Sequence, residues 1–136
     1  MARKLNVLIV DDSLIMRVNL RRNLQGLGHE IVSEAVDGTS SIVAYKEYKP
    51  DLVTMDITMP DMDGITAVKK IKEFDEDANI IMVTSHGQEA MVMNALKAGA
   101  KGYILKPVSP EKLREAIGKI FAELESTTSD ELLDEE

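Results

Sequence analysis

The sequence contains no cysteine, which excludes a disulfide framework and thiolate metal sites. It contains no apolar run close to the roughly 20 residues that span a bilayer, so no membrane partner is expected. Met1-Ala2-Arg3-Lys4-Leu5-Asn6 leads directly into a strand-like segment, without the pattern of a secretory signal, and the expected location is cytoplasmic. Positive charge is also short: 16 Lys and Arg stand against 24 Asp and Glu, a formal net charge of −8. Seven of those acids fall within 123–136, which has no Lys or Arg, so the remainder is close to neutral and offers no basic face for nucleic acid. What is present is ordinary for one soluble domain with a single core: 136 residues, 44% of them hydrophobic.

The central stretch is Pro50-Asp51-Leu52-Val53-Thr54-Met55-Asp56, followed by Ile57-Thr58-Met59-Pro60-Asp61-Met62-Asp63-Gly64. Leu52, Val53 and Met55 form a short apolar run between breakers, the mark of a strand buried on both faces. The run stops at Asp56, where an open α/β sheet binds its ligands. An unpaired buried carboxylate is costly, so Asp56 is either a solvated strand end or the holder of something cationic.

The rest of the chain alternates in the same way. Leu5 to Val10 reads as a strand ending at Asp11-Asp12-Ser13. A helix follows, capped by Asp12 or Ser13, with Met16, Leu20, Leu24 and Leu27 in one stripe and Gly26 and Gly28 as its stop. Glu30 to Val36 is a second strand and Thr39 to Lys49 a second helix, closed by Pro50. Gly64 to Phe74 is a third helix with Ile65, Val68 and Ile71 inward. Asn79 to Val83 is a fourth strand, Gln88 to Ala98 a fourth helix and Gly102 to Leu105 a fifth strand. Ser109 and Pro110 open the last helix, whose stripe is Leu113, Ala116, Ile117, Ile120, Phe121 and Leu124. Met91 and Met93 cannot both face inward, so one is expected at the surface. Five strands alternating with five helices predict a parallel sheet with right-handed crossovers and helices on both faces. The expected division is a domain over residues 1–124 and a mobile acidic tail over 125–136, with Leu132-Leu133 as its only apolar pair.

In a parallel sheet the strand ends share one edge. That edge would collect Asp11, Asp12, Asp56, Thr84 and Lys106. Three close carboxylates repel by roughly 4 kcal/mol per pair at an effective dielectric near 20. They call for a hard divalent cation, and oxygen-only ligands favour Mg²⁺. With the Lys106 ammonium and the Thr84 hydroxyl, the set suits a phosphoryl group around a carboxylate nucleophile.

These residues, with Met59-Pro60-Asp61-Met62-Asp63-Gly64, Thr84-Ser85, Ala98-Gly99-Ala100, Tyr103 and Lys106-Pro107, resemble the receiver domain of two-component response regulators over about residues 5 to 122. The resemblance implies a flavodoxin-like, doubly wound (βα)5 fold with strand order 2-1-3-4-5. It implies that Asp56 is the phosphorylated residue, that Asp12 and Asp56 bind Mg²⁺ directly and Asp11 through water, and that the Thr58 carbonyl is a further ligand. It implies catalytic support from Lys106, preceding a cis bond to Pro107, and switch roles for Thr84 and Tyr103. Thr84 also fits a plain strand end, and Tyr103 plain core. His86 occupies a position that, like 58, tunes phosphoryl lifetime in the family, and also fits a solvated loop.

The function implied is a stand-alone phosphoacceptor switch in a phosphorelay rather than an enzyme with a separate substrate. Its expected partners are a sensor histidine kinase or phosphotransfer protein, a phosphatase, and a target on the face of the fourth helix, fifth strand and fifth helix, with chemotaxis as one setting. The rivals are an intermediate of a multistep relay, a Mg-dependent aspartyl-phosphate phosphohydrolase, and a flavin carrier. The phosphohydrolase pattern of two aspartates two apart, with a cap domain, is missing here, since position 58 is Thr. Asp11-Asp12 would repel a flavin phosphate.

Overall fold

The computed structural model describes residues 4–85, 87 and 89–121. His86, Gln88, Leu124, the boundary expected at 124/125 and the acidic tail therefore lie outside the described residues. The elements are β1 (Asn6–Val10), α1 (Leu14–Gly26), β2 (Glu30–Ala35), α2 (Gly38–Tyr48), β3 (Leu52–Met55), α3 (Gly64–Phe74), β4 (Ile80–Thr84), α4 (Glu89–Ala98) and β5 (Gly102–Leu105). A fifth helix, α5, runs over 110–121. The strands form one parallel sheet in the order β2-β1-β3-β4-β5.

Alternation along the strands divides the core in two. Leu8, Val10, Val53, Met55, Ile80 and Met82 face α2, α3 and α4, where Tyr45, Ala67, Val68, Ile71 and Ala95 meet them. Val7, Ile9, Leu52, Ile81, Val83 and Ile104 face α1 and α5, where Leu20, Leu24, Leu113, Ile117 and Phe121 meet them. Both faces being covered explains why β3 and β4 are apolar without a polar alternation. Met16 and Leu27 pack at the margins of the second cluster. Met91 packs on the first cluster, whereas Met93 is exposed.

Side-chain caps set the helix starts. Ser13 rather than Asp12 caps α1, accepting the Met16 N–H at 3.3 Å. Asp37 caps α2 in a reciprocal box with Ser40, and so α2 begins at Gly38, one residue before the expected Thr39. It ends at Tyr48, because Lys49 takes a left-handed φ of 44° as the cap before Pro50. Asp63 caps α3 through the Thr66 N–H. β4 extends through Thr84, which pairs with Leu105 of β5. β2 stops at Ala35, leaving Val36 exposed. The Lys106–Pro107 peptide is cis.

Candidate functional site

The carboxyl ends of β1, β3, β4 and β5 meet at one edge because the strands are parallel and adjacent. The Asp56 N–H bonds to the Val10 carbonyl at 3.0 Å, and the Lys106 N–H to the Thr84 carbonyl at 2.8 Å. These bonds fix where each side chain leaves the sheet. Asp11, Asp12 and Asp56 each offer an oxygen, and the three oxygens lie within 4.8 Å of one another. Asp11 is 1% exposed and Asp56 7%, while Asp12 is open to solvent.

Asp11 forms the inner wall. One of its oxygens accepts the Ser13 N–H at 2.9 Å, and the other accepts Lys106 Nζ at 3.1 Å. Lys106 Nζ lies 3.7 Å from Asp56 Oδ1, so a single ammonium spans two shielded carboxylates. Burial raises the pKa of Asp56. The Asp11 charge adds to this, Lys106 opposes it, Asp12 raises it further, and the Thr58 backbone amide lowers it. One ammonium against three carboxylates leaves negative charge uncompensated. The donor set, all oxygen and grouped within reach of one ion, fits a hard divalent cation and thus Mg²⁺.

Thr58 is exposed, two residues beyond Asp56, in the loop that joins β3 to α3. Thr84 is 1% exposed at the end of β4, paired with Leu105, the last residue of β5 before Lys106. The structure therefore brings Asp11, Asp12, Asp56 and Lys106 into direct proximity, with Thr84 and Thr58 flanking them. Tyr103 is not in this cluster. It lies on β5, pairs with Met82 of β4 and is 44% exposed, which overturns its reading as plain core.

Three residues shape the site that sequence reasoning either passed over, as with Arg17, or read only as part of a motif without a role of their own, as with Asp61 and Gly64. Arg17 donates from its guanidinium to the Asp11 carbonyl at 2.9 Å and pairs with Glu34 at 3.2 Å, bracing the start of α1 against β2. Its place one turn after the Ser13 cap was the available signal. Gly64 lets the loop return close to Asp56: a Cβ there would sit 2.0 Å from the Asp56 carbonyl oxygen. Asp61 ties the same loop to α2, accepting the Gly38 N–H at 2.9 Å, the Thr39 N–H at 2.8 Å and the Thr39 hydroxyl at 2.6 Å. The Thr39 hydroxyl and then its amide hold the Asp61 carboxyl well below the usual carboxylate range.

Comparison with known proteins agrees with this geometry. Residues 7–118 match the response regulator receiver domain. The chain is 51% identical to the chemotaxis protein CheY of Bacillus subtilis over 113 residues, covering 83% of this chain and 94% of that one. It is 52% identical to CheY of Halobacterium salinarum over 115 residues, covering 85% and 95%. Among solved structures, the CheX–CheY–BeF3–Mg²⁺ complex of Borrelia burgdorferi superposes with a TM-score of 0.83 at 41% identity, covering 85% of this chain and 88% of that one. By strand order, by the acidic pocket at the sheet edge and by these likenesses, the chain belongs to the response regulator receiver domain family.

Proposed function

We propose that Asp56 of this protein accepts a phosphoryl group from a phosphohistidine on a sensor histidine kinase or phosphotransfer protein. The observation that carries the reading is the grouping of Asp11, Asp12 and Asp56 oxygens within 4.8 Å of one another, with Lys106 Nζ beside Asp11 and Asp56. Asp12, Asp56 and the Thr58 carbonyl would hold Mg²⁺ directly, and Asp11 through water. Bound Mg²⁺ screens the carboxylates and stabilises charge on the transferring phosphoryl.

An Asp56 carboxylate oxygen attacks phosphorus, the P–N bond to the imidazole breaks, and an acyl phosphate forms. Lys106 then exchanges its contact with Asp56 for one with a phosphoryl oxygen. The added charge at the end of β3 draws the Thr84 hydroxyl toward it, and Tyr103 follows. The face made by α4, β5 and α5 changes its affinity for a target. Hydrolysis of the acyl phosphate restores the carboxylate, so the protein assists its own resetting and turns over no separate substrate.

The likeness to two chemotaxis proteins supports an output in motility control. The Borrelia CheY, seen with CheX, BeF3 and Mg²⁺, supports the view that a receiver of this shape takes both a metal and a protein partner, a phosphatase among the candidates. We assign the phosphoacceptor unit to residues 1–124 and the acidic tail to 125–136. No helix among the described residues is long and apolar enough to cross a membrane.

The test is labelling with acetyl phosphate and Mg²⁺, read by mass. Wild type should gain one phosphoryl group, and Asp56→Asn, or wild type without metal, should gain none. Equal labelling of wild type and Asp56→Asn would remove Asp56 from the role.

A further inference from the structure

Between α4, β5 and α5 lies a groove of about 450 Å³. Its apolar surface comes from Leu96, Tyr103 and Leu105, each more than two-fifths exposed. Large apolar side chains left open together mark a docking surface. Around them stand Lys101, Lys112 and Lys119, against the single carboxylate of Glu115. Lys112 is held by the Leu105 and Pro107 carbonyls at 3.1 and 3.0 Å, and Lys101 by the Asn79 side-chain oxygen at 2.6 Å. These contacts orient the ammonium groups without cancelling their charge. Among the described residues, none of the three lysines forms an ion pair. The groove is therefore apolar inside and positive at the rim, in a chain whose net charge is −8.

The complementary surface exists in the same chain. Residues 123–136 carry seven acids and no base, and Leu132-Leu133 sit between Asp130-Glu131 and Asp134-Glu135-Glu136. We propose that this acidic segment docks back on its own protein, with Leu132 and Leu133 in the groove beside Leu96, Tyr103 and Leu105, and its carboxylates toward Lys101, Lys112 and Lys119. The span is short. Lys112 lies nine residues up α5 from Phe121, about 14 Å at 1.5 Å per helical residue. The eleven residues from Phe121 to Leu132 reach up to roughly 35 Å when extended. Tethering at this distance gives an effective concentration on the order of millimolar, so even a weak contact is populated. Charge complementarity makes it sensitive to salt. The groove lies on the face assigned above to the target, and on that reading the tail acts as a built-in competitor that a target must displace.

A spin label distinguishes the possibilities, and the absence of cysteine allows it to be placed at one site through Ser129→Cys. In the unphosphorylated chain of 136 residues, the nitroxide should erase the amide signals of Leu96, Tyr103 and Leu105. The loss should vanish in a Leu132→Ser, Leu133→Ser background. It should also weaken between about 0.1 and 1 M salt, as the screening length falls from roughly 10 to 3 Å. Broadening that merely fades with distance from the end of α5, unchanged by the two serine substitutions, would overturn the proposal. So would broadening seen only when spin-labelled chains are mixed with separate isotope-labelled ones, since the occupant would then be a second copy. Neither readout depends on phosphorylation, so failure here leaves the role of Asp56 to its own test.

Discussion

At the scale of single residues, Lys106 has a structural part beside the one proposed for it with a phosphoryl group. It is the cation that makes the burial of Asp11 tolerable, and it moderates Asp56 as well. Removing one member of a buried charge set leaves the others uncompensated, at up to about 3 kcal/mol. Lys106→Ala should therefore lower the metal-free melting temperature, and Mg²⁺ should recover part of the loss by supplying positive charge. The same variant should label slowly and show no phosphorylation-dependent change in target affinity. Calorimetry with and without Mg²⁺, beside a target-binding assay, checks both halves, and normal switching would refute the role. His29 gives a second case. Its Nδ1 accepts the Leu5 N–H at 3.1 Å, and burial lowers its pKa. A depressed histidine pKa means that its stabilisation is complete above about pH 6.5 and is lost as pH falls below that value. The bond at stake contributes about 1 kcal/mol. His29→Asn keeps an acceptor that does not titrate, so thermal melts at pH 7.5 and 5.5 should differ less for the variant than for wild type. Asp56 was legible in the sequence because a carboxylate ending a buried strand conflicts with stability. Asp61 was legible only as one member of the Met59-to-Gly64 motif; its tie to Gly38 and Thr39 was not, because an exposed acid between Pro60 and Met62 looks like any turn residue. Its importance depends on where α2 begins.

At the scale of elements, the loop joining β3 to α3 is the most constrained connection near the site. The Gly64 N–H bonds to the Ile57 carbonyl at 2.6 Å, closing the loop, while Asp61 pulls its middle onto α2. Gly64→Ala would drive a methyl group into the Asp56 carbonyl oxygen, which is backbone and cannot swing aside. We expect a loss of about 3 kcal/mol, at the severe end of overpacking, together with weaker Mg²⁺ binding, because Asp56 and Thr58 flank the strained point. Urea titration and calorimetric titration of Mg²⁺ measure these separately, and a variant as stable as wild type would contradict the close approach. The sequence already announced this helix through Asp63-Gly64, as it announced all five strands through apolar runs bounded by breakers. Element ends were less legible. Whether Thr84 closes β4 or follows it depends on its pairing with Leu105, a partner 21 residues away.

At the scale of the whole molecule, the sheet keeps three like charges together, Asp11 and Asp56 shielded and Asp12 open to solvent, at the edge of a core that is stable for other reasons. The apolar clusters on both faces fix β1 and β3 as neighbours, and the repulsion between their terminal carboxylates is carried as a standing cost. Metal binding relieves that cost, so it should stabilise the entire fold. At a Mg²⁺ concentration 100 times its dissociation constant, linkage gives about 2.7 kcal/mol. Melting with and without Mg²⁺ should show the corresponding rise for wild type and a much smaller one for Asp56→Asn, and equal rises would place the ion elsewhere. Topology was readable from the alternation of strands and helices, and it put Lys106 on the same edge as Asp11, but that the two would pair directly was not. The two are 95 residues apart, and only the completed sheet brings them together.

That separation has a consequence for the birth of the protein. A ribosome releases Asp11, Asp12 and Asp56 well before Lys106, so a growing chain can hold its acids on β1 and β3 while the neutralising ammonium is still unmade. Until Lys106 is made, dissolved cations are the available relief for the crowded carboxylates, and Lys106, once in place beside Asp11 and Asp56, takes over only part of that task and leaves the rest to a metal ion.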